Sequence, residues 1–137
     1  MNTKKMAISV LAVFVFLSVY GYVVHGVLMK DLYEATGQFW RPHEVMRKLM
    51  GLVHLGNFLF AILFCVIYTK GIAGESSAGQ GFRYGLWIGL LLYGPMTIAH
   101  YAYLPYPATL QLSWVASGVI GAVISGTLVG ALYKRSS

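Results

Sequence analysis

The chain has 137 residues, of which 58% are hydrophobic and only 10% charged, a balance too apolar for a water-soluble domain. Its formal net charge of +6 comes from ten Lys and Arg spread thinly at the ends of apolar runs, which argues against a nucleic-acid binder. The single cysteine, Cys65, lies inside an apolar run and excludes both an intrachain disulfide and a thiolate metal framework.

A helix needs about 20 mainly apolar residues to cross the hydrocarbon core. Four segments meet that requirement, roughly 6–29, 49–68, 82–103 and 108–133. The expected fold is all-α: a polytopic antiparallel bundle of four transmembrane helices forming one domain over 1–137. The opening MNTKK and the apolar run after it imitate a signal peptide. The run is too long for an ordinary h-region, however, and Ser18–Gly21 offers no convincing cleavage site, so it reads as a retained signal anchor.

The first connector carries three of the four acidic residues, and within it Trp40-Arg41-Pro42 before HEVMRKLM looks like a helix start with proline near the first position. Lys30 and Glu34 stand four apart, which suits an exposed ion pair on a helical turn. The second connector, GIAGESSAGQG, reads as a flexible loop whose role is to join, with no function for Ser76 or Ser77. In the third segment Tyr93-Gly94-Pro95 predicts a kink, and YAYLPYP suits an aromatic belt and a tight turn.

The fourth segment holds two rows of small residues at four-residue spacing: Gly118, Ala122, Gly126 and Gly130, and beside them Ser113, Ser117, Gly121 and Ser125. Such a face lets another backbone come close, so the first row calls for a partner helix, in the same chain or in a second copy of a homo-oligomer. The other expected partner is the lipid bilayer.

Orientation follows from the basic residues, which are in excess on cytoplasmic flanks. With both termini inside, Lys4, Lys5, Lys70, Arg83, Lys134 and Arg135 stand against Lys30, Arg41, Arg47 and Lys48 outside. On that topology His25, His54 and His100 all fall roughly 4 to 8 Å inside the outer boundary, counting inward at 1.5 Å per residue. Each ends a polar stripe of residues three or four apart: Ser18, Tyr22 and His25; His54 and Asn57; Tyr93, Thr97 and His100. Facing one another, these stripes would make a polar pocket capped by His43, Asp31, Glu34 and Glu44.

Imidazoles at one depth could ligate a divalent metal or hold haem b, with Tyr22, Asn57 and Thr97 around them and the carboxylates and His43 as weaker ligands. The competing expectation is that these histidines only meet water, headgroups or backbone carbonyls. No residues form a catalytic arrangement: there is no Ser-His-Asp set and no phosphate loop, which points away from an enzyme. The apolar segments also carry no carboxylate of the kind a proton-coupled exporter uses. Two further readings stay open, a structural or assembly subunit and a small transporter or channel subunit.

The sequence LMKDLYEATGQFWRP after a first apolar segment, then YTKG, GFRYG, LPYP and a last glycine-rich segment ending in YK, resembles an uncharacterised family of small four-helix inner-membrane proteins of bacteria. The resemblance implies fold and location, with a multi-pass chain in the cytoplasmic membrane and both termini in the cytoplasm. It brings no activity and no site residues.

Overall fold

The computed structural model describes residues 2–72 and 74–134, so Arg135, counted above among the inner cations, lies outside the described residues. Every regular element among them is helical, and the chain is all-α. Helix α1 covers Thr3–Gly21 and runs on as a π-helical segment, Tyr22–Leu28. Two short helices follow, α2 (Lys30–Ala35) and α3 (His43–Lys48), with a 3₁₀ turn at Gly37–Phe39 between them. The remaining three are long: α4 (Met50–Gly71), α5 (Ala78–Tyr103) and α6 (Ala108–Leu132).

Among the described residues three helical stretches are long and apolar enough to cross a membrane: Thr3–Leu28, Met50–Gly71 and Ala108–Leu132. Sequence reading also expected α5 as a span. It is 26 residues long, but Gln80, Arg83, Thr97, His100 and its glycines and tyrosines dilute its apolar content. It runs unbroken through Pro95.

The tightest pair is α5 against α6, and glycine makes it possible. A Cβ on Gly81 would stand 1.9 Å from the Gly126 carbonyl oxygen, and one on Gly85 would stand 2.2 Å from that of Ala122. Reciprocally, a Cβ on Gly126 would meet the Gly81 oxygen at 2.2 Å, and one on Gly130 the Ser77 oxygen at the same distance. The small-residue row of α6 therefore lies backbone to backbone on a Gly81, Gly85, Gly89 row of α5, where dispersion at close approach holds the pair. Gly118, at the outer end of the row, leaves room for the Tyr93 ring.

The second row faces α1. Gly121 makes space for the Tyr20 ring, whose hydroxyl donates to the Ser117 carbonyl oxygen at 2.7 Å. At the opposite end the Asn2 backbone N–H donates to the Tyr133 hydroxyl at 3.1 Å, and the Lys5 ammonium donates to the Lys134 carbonyl. These contacts fix α1 and α6 antiparallel along their whole lengths. On the other side of α1, Phe14 meets Phe58 of α4 edge-on.

One apolar core, built on Met6, Val13, Ala61, Phe64, Cys65, Tyr68, Val129 and Tyr133, ties α1, α4 and α6 together near the end that holds both termini. Tyr84 of α5 closes it by donating to the Phe64 carbonyl oxygen at 2.7 Å. The connector before α5 is more than a join: the buried Ser76 hydroxyl donates to the Gly130 carbonyl oxygen at 2.9 Å and bonds Tyr68 at 2.8 Å. Ser77 caps α5 by accepting from the Gln80 N–H. Both serines thus have structural work that their place in a Gly- and Ser-rich stretch did not suggest.

Candidate functional site

The polar and aromatic groups at the other end of the molecule gather into a cap, built by the first connector, the turn before α6 and the first turns of α6. Its hub is Tyr33 on α2. The Trp114 indole N–H, which can only donate, gives its hydrogen bond to the Tyr33 oxygen at 2.8 Å. The Tyr33 hydroxyl proton is then available to His25 Nδ1, 2.7 Å away. In the neutral imidazole this arrangement leaves the ring proton on Nε2 and ties up the Nδ1 lone pair. Burial pushes the Tyr33 phenol above its usual range, partly offset by the Trp114 hydrogen bond, so the hydroxyl stays protonated and able to donate.

Around this relay the rings pack edge to face and in stacks. Trp40 lies nearly parallel to Tyr106 at 5.6 Å, and Trp114 meets Tyr106 edge-on at 5.5 Å. Trp40 donates its indole N–H to Thr36 Oγ1 at 3.0 Å, and that hydroxyl donates to the Leu32 carbonyl, so both indole N–H groups are satisfied. Below lie Val24, Met29 and Leu110, all buried. The resulting plug fastens α1, α2 and α6 at their shared end.

The π-helical segment decides which way His25 points. Each π turn carries an extra residue, closed here by bonds such as Met29 N–H to the Val24 carbonyl at 2.8 Å. The α-helical register that aligned Ser18, Tyr22 and His25 is therefore lost. Tyr22 is 71% exposed and lies over Gly26, while Ser18 bonds back to the Phe14 carbonyl of its own helix.

The other histidines do not join His25. His54 is exposed on the N-terminal half of α4, where residues 51–56 are all exposed and only Asn57 begins to be covered. His100 is half-buried on α5 beside the Tyr103 ring, with Thr97 one turn earlier. Among the described residues no group of three or more His, Cys, Asp or Glu is placed to hold a metal ion. The expected set of His25, His54 and His100 therefore does not form such a group, and one His25 ring nitrogen is engaged by Tyr33.

The weaker candidates are also accounted for. Glu34 pairs with Lys30 at 3.7 Å, as its spacing predicts, and Glu44 pairs with Lys48 at 2.9 Å. Both pairs are exposed and contribute a few tenths of a kcal/mol. Asp31 sits in the first turn of α2 and His43 opens α3, both exposed. Sequence reading missed Tyr33, Trp114, Trp40 and Tyr106 as a set, because each alone looks like an ordinary interfacial aromatic.

One polar group near the cap has no partner in the protein. Gln111 is 2% exposed, and neither its amide nitrogen nor its amide oxygen makes a hydrogen bond among the described residues. Comparison of the chain with protein-family models, with curated proteins and with solved structures finds no match.

Proposed function

We propose that the chain is a non-enzymatic structural or assembly component of a bacterial cytoplasmic membrane, crossing it four times with both termini inside. The observation that carries the reading is the division of its surface. At the cap end Tyr33, His25 and Trp114 bond one another and Trp40 bonds Thr36, while many apolar side chains of the long helices are exposed. Within the apolar windows of Thr3–Leu28 and Met50–Gly71 only 17% of residues are buried, which lipid or another membrane protein can cover.

Helix α5 joins as a fourth span on length and packing. Its 26 residues measure about 39 Å at 1.5 Å per residue, against a hydrocarbon core of about 30 Å. It lies antiparallel on α6, so if α6 crosses, α5 runs through the same thickness. On α6 itself, Thr127 bonds to the Val123 carbonyl and Ser113 to that of Thr109, which suits a helix in an apolar medium.

The structural reading is preferred to ligand binding because, among the described residues, no group of three or more His, Cys, Asp or Glu is placed to hold a metal ion. An assembly role is favoured over a solitary one by the outer half of α4. Residues 51–56 are exposed on every face of the helix, and nothing lies within 4 Å of a Cβ built on Gly51 or Gly56.

Two measurements test the proposal. The chain is expected to stay with carbonate-washed membranes, and the purified protein to show no Soret band and no stoichiometric metal. A haem band or bound metal that disappears in His25→Ala or His54→Ala would overturn the structural reading.

A further inference from the structure

At the end that holds both termini, α4 and α5 part to leave a groove of about 460 Å³, lined by Ile67, Tyr68, Ile72, Arg83 and Tyr84. Its walls are apolar chains, the polar Gln80 side chain, and two phenol rings whose hydroxyls are already used, Tyr68 toward Ser76 and Tyr84 toward the Phe64 carbonyl. The single charge in the lining is the Arg83 guanidinium, and no carboxylate lines the groove. Among the described residues the ion pairs use Lys30 and Lys48 at the far end, and Arg83 has none.

We infer that this groove binds an anionic phospholipid, with the phosphate on Arg83 and an acyl chain along Ile67 and Ile72. The inference rests on the membrane reading above, which makes lipid the neighbour of this face. Charge selects the kind of lipid. Lys4, Lys5, Lys70, Arg83 and Lys134 gather at this end, while the described acids there reduce to Glu75 in the connector, which is not among the lining residues. Juxtamembrane basic groups favour anionic over zwitterionic headgroups, about fivefold for each cation near the surface. A guanidinium adds a planar fork of donors that matches a phosphate.

The test uses the full chain purified in a neutral detergent and titrated with dioleoyl phosphatidylglycerol, dioleoyl phosphatidylcholine or inorganic phosphate. Bound lipid is read by native mass spectrometry and by the shift in thermal unfolding. Phosphatidylglycerol is expected to bind and stabilise where phosphatidylcholine does not. Arg83→Gln should reduce that preference about fivefold, Arg83→Lys should keep most of it, and Arg41→Gln at the far end should leave it unchanged.

Equal binding of both lipids, or full selectivity retained in Arg83→Gln, would overturn the inference. Stabilisation by inorganic phosphate equal to that by phosphatidylglycerol would also overturn it, since the acyl chain would then be irrelevant. Carbonate extraction keeps the two proposals apart: a chain that resists extraction but shows no lipid preference refutes the groove assignment alone.

Discussion

The Tyr33 hydroxyl serves two partners at once, accepting from Trp114 and donating toward His25, and its replacement therefore strands two groups. Tyr33→Phe keeps the ring packing and removes only the oxygen, so its effect isolates the relay. The expected loss is about 1 kcal/mol, set mainly by the part-buried Trp114 bond since the His25 bond is exposed, read as a lower unfolding temperature in detergent. An unchanged unfolding temperature would mean that water replaces the oxygen and that the relay is incidental. The pH dependence carries a sign. Burial raises the folded-state pKa of Tyr33 above the ordinary value of 10.0, so its contribution to stability is full below that value. It falls as pH climbs through the folded pKa, because the unfolded chain ionises first. Wild type should lose stability more steeply than Tyr33→Phe when unfolding is followed above about pH 10. Gln111 presents the opposite case. Its buried amide has no partner to lose, so Gln111→Met, which keeps length and removes the polar end, should be neutral or stabilise by about 1–2 kcal/mol. A drop in unfolding temperature would reveal a partner for the amide in the folded protein.

Helix α6 was the most legible element in the sequence, because small residues at every fourth position announce a bare helix face without any knowledge of what covers it. The same spacing occurs in α5 at Gly81, Gly85 and Gly89, but there Arg83, Tyr84 and Trp87 lie between the glycines and mask the pattern. A spacing rule tells which face is bare and says nothing about its occupant. The π segment was not legible at all: nothing in Tyr22–Leu28 distinguishes it from an α-helix, and this one local change separates His25 from the expected histidine layer. The relay escaped for a related reason, since Tyr33 meets one partner 8 residues away and the other 81 away. The glycine contacts give a sharp test. Gly126→Leu would drive its side chain into the Gly81 carbonyl, a contact a Cβ alone would make at 2.2 Å. Over-packing of this kind costs about 1–3 kcal/mol or more, and backbone on both sides leaves little room to relax. Gly56→Ala is the control, because nothing stands within 4 Å of its Cβ. It should be neutral or stabilising by about 0.5–1 kcal/mol through helix propensity. Thermal unfolding of the two variants side by side checks the contrast, and equal effects would remove the α5–α6 contact as the source of stability.

At the scale of the whole molecule the two ends differ in charge and in construction. One end gathers Lys4, Lys5, Lys70, Arg83 and Lys134 around the apolar core of α1, α4 and α6; the other balances Lys30, Arg41, Arg47 and Lys48 with Asp31, Glu34 and Glu44 over the aromatic plug. The positive end is the one expected to remain in the cytoplasm. The least apolar of the long helices, α5, is then the element on which the proposed topology turns, and its two flanking connectors give a direct measurement. Glu75 lies before α5 and Pro105 after it, and both are exposed. The native thiol, Cys65, is buried, which keeps background labelling low. If α5 crosses the bilayer with the basic end inside, Pro105→Cys reacts with a membrane-impermeant maleimide in intact spheroplasts, whereas Glu75→Cys reacts only after lysis. Crossing is the expected outcome because α5 lies antiparallel on α6 with Gly81 and Gly85 against its backbone, and the orientation is expected from the basic residues alone. Labelling of both positions from the same side would place α5 along the membrane and reduce the chain to three crossings. Labelling from opposite sides but with the two positions exchanged would preserve the four crossings and invert the molecule, carrying the Arg83 groove to the outer leaflet.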